Sequence, residues 1–280
     1  MSYLPEIIDF VLTGMCNLRC PFCWGPKHEV PTANLEALQR VIQQLPAYSV
    51  RRIVFTGGEP TLVQNLPALL SIAKSIGLEV VLSTNGLLLE EKAAEIVPNV
   101  DWIGLPLDAD SPDVNALMRP GDEEHFGRVL RLIPLLKAEY PQVKIKLRTV
   151  VCKINKDFVE GIPELVSRNV IPEVWRVYQV VYSSYGLENK NILELSDEEF
   201  EQVYHCLVSK ARNYGMHLKP YRRKQRNGRY LFLEPNGDAS VVVGEQPIVI
   251  GNFFESLENV SLQWRKYIDE SKMSNHLSDY

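Results

Sequence analysis

The chain has 280 residues, of which 45% are hydrophobic and 23% charged, and a net charge of −5. This composition excludes a collagen, a largely disordered chain and a disulfide-rich secreted scaffold. The negative charge argues against a nucleic-acid partner, no apolar run approaches the length of about 20 residues that spans a bilayer, and Met1–Glu6 lacks the basic start of a signal peptide.

Taken in order, the predicted elements alternate between strand and helix. Short apolar runs at Ile7–Leu12, Arg52–Phe55, Glu79–Ser83, Trp102–Leu107, Lys144–Val151 and Trp175–Val181 read as buried parallel strands. Helices are predicted over Leu35–Leu45, Leu66–Ile76, Glu90–Val97, Glu123–Lys137 and Asp157–Val166. Ser196-Asp197-Glu198-Glu199 is a capping box that opens a further helix ending near Tyr214. The alternation implies an α/β fold, a partial (βα)6-type parallel barrel over residues 1–215, with working residues in the loops after the strands. Met216–Pro220 reads as one more strand rising to the barrel top. Arg229–Glu234 and Ala239–Val243 flank Pro235-Asn236-Gly237-Asp238, a strong hairpin signal. Residues 216–280 are therefore expected to form a C-terminal extension over the barrel mouth, with a mobile tail from about residue 269.

The five cysteines are unevenly placed. Cys16, Cys20 and Cys23 fall within eight residues directly after the first strand, whereas Cys152 and Cys206 stand apart. Three thiolates on one loop suit a metal. A [4Fe–4S] cluster ordinarily takes four cysteines, so three leave one iron open to a non-protein ligand. A zinc site with His28 as fourth ligand, or a structural cluster without catalysis, is the alternative. Cys152 and Cys206 are expected to pack as small apolar residues, and their scarcity disfavours a second cysteine-bound cluster.

Cys16-x3-Cys20-x-Phe22-Cys23 resembles the signature of the radical S-adenosylmethionine (radical SAM) enzymes. The resemblance extends in family order over about residues 5–185. It includes Thr56-Gly57-Gly58-Glu59-Pro60 after the second strand, Ser83-Thr84-Asn85-Gly86 after the third, Leu107-Asp108 with Asp113–Arg119, and Lys146–Val151. It implies one [4Fe–4S] cluster on Cys16, Cys20 and Cys23 that binds S-adenosylmethionine at its open iron. It also implies reductive cleavage to a 5′-deoxyadenosyl radical that abstracts a substrate hydrogen, and an electron donor such as flavodoxin or ferredoxin. An oxygen-sensitive cluster points to a reducing cytoplasm.

The same resemblance implies roles for individual residues. The carbonyls of Gly57 and Gly58, with Glu59, would receive the ammonium of S-adenosylmethionine. Arg119 would pair with its carboxylate through a planar fork, Ser83 and Asn85 would face the ribose, and Phe22 would lie against the adenine. Turn formation is an equal account of Ser83 and Asn85. Arg148, Thr149 and Gln179 lie on late strands, where alternation turns about half the side chains inward; they are candidate contacts to cofactor or substrate, Arg148 to the cofactor.

For the substrate, Val174–Gln179, Ser196–Phe200 and Tyr230–Leu233 resemble the second half of viperin-like enzymes, which dehydrate nucleoside triphosphates. Arg176, Gln179 and Tyr230 are the candidate contacts there. Those enzymes carry lysines after the arginine-containing turn, whereas this chain has the acidic Pro120-Gly121-Asp122-Glu123-Glu124-His125. The basic run Tyr221–Arg229, with Arg222 and Arg223, is the candidate compensation, or else a solvated loop. Phe232–Asp238 with Val249–Phe253 resembles the start of the extension in peptide-modifying radical SAM enzymes, without its cluster cysteines. A small molecule, a nucleotide or a biosynthetic intermediate, is the first expectation and a ribosomal peptide the second.

Overall fold

A computed structural model describes residues 4–168 and 170–268, so the tail expected from residue 269 lies outside the described residues. The chain opens with β1 (Ile7–Val11) and then the cysteine loop. Next is α1 (Leu35–Gln44), started by Asn34, whose side chain accepts from the Ala37 N–H at 2.9 Å. There follow β2 (Arg52–Thr56), α2 (Leu66–Ser75), β3 (Glu79–Ser83), α3 (Leu89–Ile96), β4 (Trp102–Pro106), α4 (Pro112–Met118), α5 (His125–Glu139) and β5 (Lys144–Val151). The second half runs α6 (Ile162–Ser167), β6 (Val174–Gln179), α7 (Tyr185–Glu188), α8 (Lys190–Leu193), α9 (Asp197–Asn213) and β7 (Leu218–Tyr221). It closes with β8 (Leu231–Leu233), β9 (Asp238–Val243), β10 (Gln246–Asn252) and α10 (Leu257–Trp264). The capping box at Ser196 and Glu199 forms reciprocally, as the sequence predicts.

The ten strands among the described residues join one sheet in the order β10-β9-β8-β1-β2-β3-β4-β5-β6-β7. From β1 to β7 each neighbour is parallel, and β9 and β10 are antiparallel additions. The parallel barrel strands and the hairpin are as expected, but β8 also pairs in parallel with β1, at Asp9 with Phe232 and Phe10 with Leu233. The extension thus continues the barrel sheet, and β10 is a strand the sequence reading did not resolve. The helix expected from Asp157 begins only at Ile162. The preceding turns are held by the Asn155 amide, which donates to the Asp108 and Val150 carbonyls at 2.6 and 2.8 Å.

Strand alternation divides the sheet into two faces. One face, with Ile8, Phe10, Ile53, Phe55, Leu82, Leu105 and Leu147, packs under the helices in the main core. The other encloses the barrel interior. Its lower end is plugged by Ile7, Val54, Val81, Trp102 and Val174, a separate apolar cluster. Above that plug the inward positions turn polar. The ring of Tyr221 on β7 stands 5.5 Å from that of Tyr230, just before β8. Side chains therefore span the gap between the two ends of the parallel part.

Candidate active site

The loop after β1 and the loop after β2 are clamped together by backbone. The Gly58 N–H donates to the Thr13 carbonyl at 2.6 Å and the Glu59 N–H to the Met15 carbonyl at 2.8 Å. This approach leaves no room for side chains. A Cβ on Gly58 would lie 2.2 Å from the Met15 oxygen, and Gly57, at φ +148°, would put one 2.7 Å from the Thr13 oxygen. The two glycines are therefore demanded by the contact itself.

On that platform Cys16, Cys20 and Cys23 line one cavity together with Gly57, Gly58, Phe22, Ser83, Asn85 and Arg119. The Leu18 N–H donates to Cys16 Sγ at 3.4 Å. Burial pushes the Cys20 thiol up to about 12 and raises those of Cys16 and Cys23. A coordinating metal removes that penalty, because it deprotonates a thiol outright. Three desolvated thiols around one cavity thus fit a thiolate-bound metal group. The ring of His28 instead packs 5.0 Å from that of Tyr185. Among the described residues no group of three or more His, Cys, Asp and Glu side chains is gathered as a single ion requires. With His28 packed on Tyr185 and outside the cavity lining, three thiols without an imidazole suit a cluster with one open iron better than Cys3His.

Arg119 ends α4 and reaches back over the cavity. Its Nε donates to Asp108 Oδ2 at 2.5 Å, Nη1 stands 3.7 Å from Cys20 Sγ, and the guanidinium lies 5.3 Å from the Phe22 ring centre. Burial opposes its charge, but the Asp108 carboxylate and the Cys20 sulfur more than offset this and raise its pKa. Asp108 is fully buried, and its other oxygen accepts from the Val150 N–H at 2.7 Å. It orients Arg119, a role the sequence reading missed; an acid directly after an apolar strand was the available signal.

The Glu59 carboxylate is not part of the cavity wall. It accepts from the Thr61 N–H and hydroxyl, the Thr84 hydroxyl and the Asn85 N–H, at 2.7–3.0 Å. It ties the loop after β2 to the loop after β3. Asn85 borders the cavity; its oxygen accepts from the Leu87 N–H, as a turn residue does, and its amide donates to Asn17 Oδ1 at 2.7 Å.

Behind Asn85 a buried relay runs through His125. The Asp108 N–H donates to Asn115 Oδ1 at 3.2 Å, Asn115 Nδ2 lies 3.1 Å from His125 Nδ1, and His125 Nε2 lies 3.1 Å from the Asn85 carbonyl. Burial, then the Arg119 charge, push the His125 pKa down to about 3. The neutral ring accepts from Asn115 and donates to Asn85. The unfolded histidine takes up a proton near pH 6.5 and the folded one does not, so this stability is present above pH 6.5 and lost as pH falls below it. The loss is at most about 1.4 kcal/mol per pH unit. Asp9, raised by burial to about 7, pulls the opposite way. Denaturant titrations of wild type against His125→Gln isolate the histidine: the stability difference should shrink from pH 7 to pH 5. A difference independent of pH would sink the assignment.

Deeper in the cavity the walls carry Asp9 from β1, Lys146 and Arg148 from β5, Arg176 and Tyr178 from β6, Tyr221 from β7, and Arg226, Tyr230 and Phe232. Arg148 Nη2 donates to the Thr84 and Gly104 carbonyls at 2.9 and 3.0 Å. Gly104 gives it room, since a Cβ there would lie 3.1 Å from Arg148 Nε. Arg226 lies 5.4 and 5.8 Å from the ring centres of Trp24 and Phe232. Burial lowers the pKa values of Lys146, Arg148 and Arg226 and raises that of Tyr178 to about 12. Sequence reasoning did not single out Asp9, Lys146, Trp24 or Arg226 as site residues. The signal for the first two was a charge inside an otherwise apolar parallel strand.

Other candidates lie elsewhere. Arg222 pairs with both oxygens of Glu201 at 2.5 and 2.9 Å, and Arg223 reaches Asp197 at 2.9 Å and Glu245 at 3.2 Å. Neither lines the cavity, because acids on α9 and before β10 draw them outward. Gln179 borders the cavity, but its amide is engaged by Asp197 and the Arg223 N–H. Thr149 faces the other side of β5, between the Leu107 carbonyl and Trp175 Nε1. Cys152 packs against Met118 as an apolar residue would, at 3.6 Å. Cys206 instead stands half-exposed and donates to Glu160 Oε1 at 3.0 Å.

The profile of the Radical SAM superfamily matches residues 10–161, which contain the three cysteines, the Gly-Gly turn and Arg119. The chain belongs to the radical SAM superfamily. It is therefore an enzyme. It is 31% identical over 210 residues to an S-adenosylmethionine-dependent nucleotide dehydratase of Flammeovirga pacifica, covering 70% of each chain. A protein of the same description from Lacinutrix mariniflava is 26% identical, over 98% of this chain and 59% of its own. The chain spans only 51% to 59% of the length of some curated relatives. The fold is that of Streptococcus suis SuiB, solved with its precursor peptide SuiA, at a TM-score of 0.74 and 16% identity over 100% of this chain and 68% of SuiB. Superfamily membership implies a [4Fe–4S] cluster and S-adenosylmethionine as cofactors. No helix among the described residues of this radical SAM enzyme is long and apolar enough to cross a membrane.

Proposed function

We propose that this radical SAM enzyme acts on a small anionic molecule, a nucleotide by preference. Cys16, Cys20 and Cys23 would hold a [4Fe–4S] cluster, which with S-adenosylmethionine would supply the radical chemistry for abstracting a substrate hydrogen. This chain's residues bind, orient and seal. The Gly57 and Gly58 backbone would receive the ammonium, Arg119, steadied by Asp108, the carboxylate, Ser83 and Asn85 the ribose, and Phe22 the adenine. Glu59 acts through the loops it joins. A flavodoxin or ferredoxin in a reducing cytoplasm would supply the electron.

The observation that carries the substrate reading is the cavity floor, where Lys146, Arg148, Arg176 and Arg226 converge from β5, β6 and the basic turn. Buried cations are costly, and an incoming anion offsets that cost and favours the charged form of Lys146. These cations stand in for the lysines absent after Arg119. The nucleotide dehydratase relatives lend further support. A ribosomal peptide is the second reading, but an uncharged backbone brings these cations no counter-charge. Arg176→Ala should weaken binding of nucleoside triphosphates by about 10- to 100-fold, the worth of a charge-assisted hydrogen bond. S-adenosylmethionine affinity should hold. Calorimetry on the anaerobically reconstituted enzyme reads both. Binding of a short peptide, with no nucleotide binding, would overturn the proposal.

A further inference from the structure

Asp9 is the only acidic side chain lining the cavity among the described residues. The fold supplies donors to its other buried carboxylates: four to Glu59, and Arg119 with the Val150 N–H to Asp108. Asp9 differs. Its Oδ2 is buried with no hydrogen-bond partner, although Lys146 and Arg226 are near enough to act on its charge. Position alternation on β1 sends it inward, two residues after Ile7 of the apolar plug and into the cavity that Lys146 and Arg176 also line. Tyr178 and Tyr230 complete the charged and polar groups that sense it.

An acceptor left without a donor inside a ring of cations has a definite preference. A phosphate cannot approach it closely, since like charges repel. An uncharged hydroxyl or amine can. We propose that Asp9 is a specificity-determining residue that accepts a hydrogen bond from a hydroxyl or amino group on the uncharged part of an anionic substrate. The anionic end then lies toward Arg176, Arg148 and Arg226. For a nucleotide, the sugar hydroxyls are the donors. This deepens the nucleotide reading above and rests on it.

The test is calorimetry on the reconstituted enzyme loaded with S-adenosylmethionine, kept anaerobic. The probes are CTP, GTP, their 2′,3′-dideoxy counterparts and inorganic tripolyphosphate. Wild type should bind at least one ribonucleotide about tenfold or more tighter than its dideoxy form. In Asp9→Ala that ratio should collapse to within about twofold, while tripolyphosphate binds as well as before or better. Asp9→Asn, which keeps an acceptor oxygen without the charge, should retain part of the preference. The assignment is overturned if a folded Asp9→Ala keeps the full ratio, if wild type binds both forms alike, or if the variant loses tripolyphosphate and nucleotides equally. If wild type binds no nucleotide at all, the nucleotide reading falls, and this assignment with it.

Discussion

Cys20→Ala is expected to abolish cleavage of S-adenosylmethionine, leaving less than about one thousandth of wild-type activity. Cys20 is the middle ligand of three on one loop, and its sulfur faces the cavity 3.7 Å from Arg119 Nη1. With two thiolates left, neither other cysteine is placed to replace it: Cys152 is fully buried against Met118, and Cys206 lies on α9 against Glu160. Wild type reconstituted anaerobically should bind about four irons, turn brown and form 5′-deoxyadenosine under reductant. The variant should do none of these. Cys206→Ala is the matched control and should keep cluster and activity, with a stability change within about 1 kcal/mol. A fully active Cys20→Ala, or zinc as the native metal, would end the radical mechanism proposed for this chain.

The second large effect is expected from a single methyl group. In Gly58→Ala the new Cβ meets two backbone oxygens, Met15 at 2.2 Å and Gly14 at 2.3 Å. Neither can swing aside as a flexible side chain would. The loops after β1 and β2 must separate, which stretches the hydrogen bonds from the Gly58 and Glu59 N–H groups. Overpacking plus weakened hydrogen bonds should cost about 3 kcal/mol, a fall in Tm of about 6–12 °C for a chain of this size. Because the cysteine loop is one of the partners displaced, cluster content should fall with stability. Gly77→Ala makes the comparison sharp. Gly77 also has a positive φ, +85°, yet nothing lies within 4 Å of its would-be Cβ. It should cost only the strain of a left-handed residue, about 1–2 kcal/mol, and leave the cluster intact. Equal loss of iron in both variants would show that close approach at Gly58 is not what holds the loop.

Much of the scaffold was legible because its signals are local. Apolar runs marked all six barrel strands to within one or two residues at their ends, and Asn-Gly marked the turn between β8 and β9. The helix expected from Asp157 was misjudged because Asn155 is captured by carbonyls of Asp108 and Val150, the first far away in sequence. The same limit explains the basic run. Arg222, Arg223 and Arg226 look alike as a string of charges. Glu201 and Asp197 on α9 and Glu245 before β10 claim the first two, while a short 3-10 turn over Arg223–Arg226 carries the last into the cavity beside Trp24. His125 follows three acidic residues at the start of a predicted helix, yet it is fully buried between Asn85 and Asn115.

By itself, the sequence determined the cysteine triad, the Gly-Gly turn and the strand–helix alternation, because each depends on spacing of a few residues. Only the tertiary structure decided which charges meet. Asp9, Lys146, Arg176 and Arg226 come from four separate segments; inward parity on a curved parallel sheet brings the first three around one cavity, and the turn before β8 adds Arg226. Ion pairing across long sequence separations removes their neighbours from it. That selection, made by burial and distance rather than by residue type, gives the floor of the cavity its polarity.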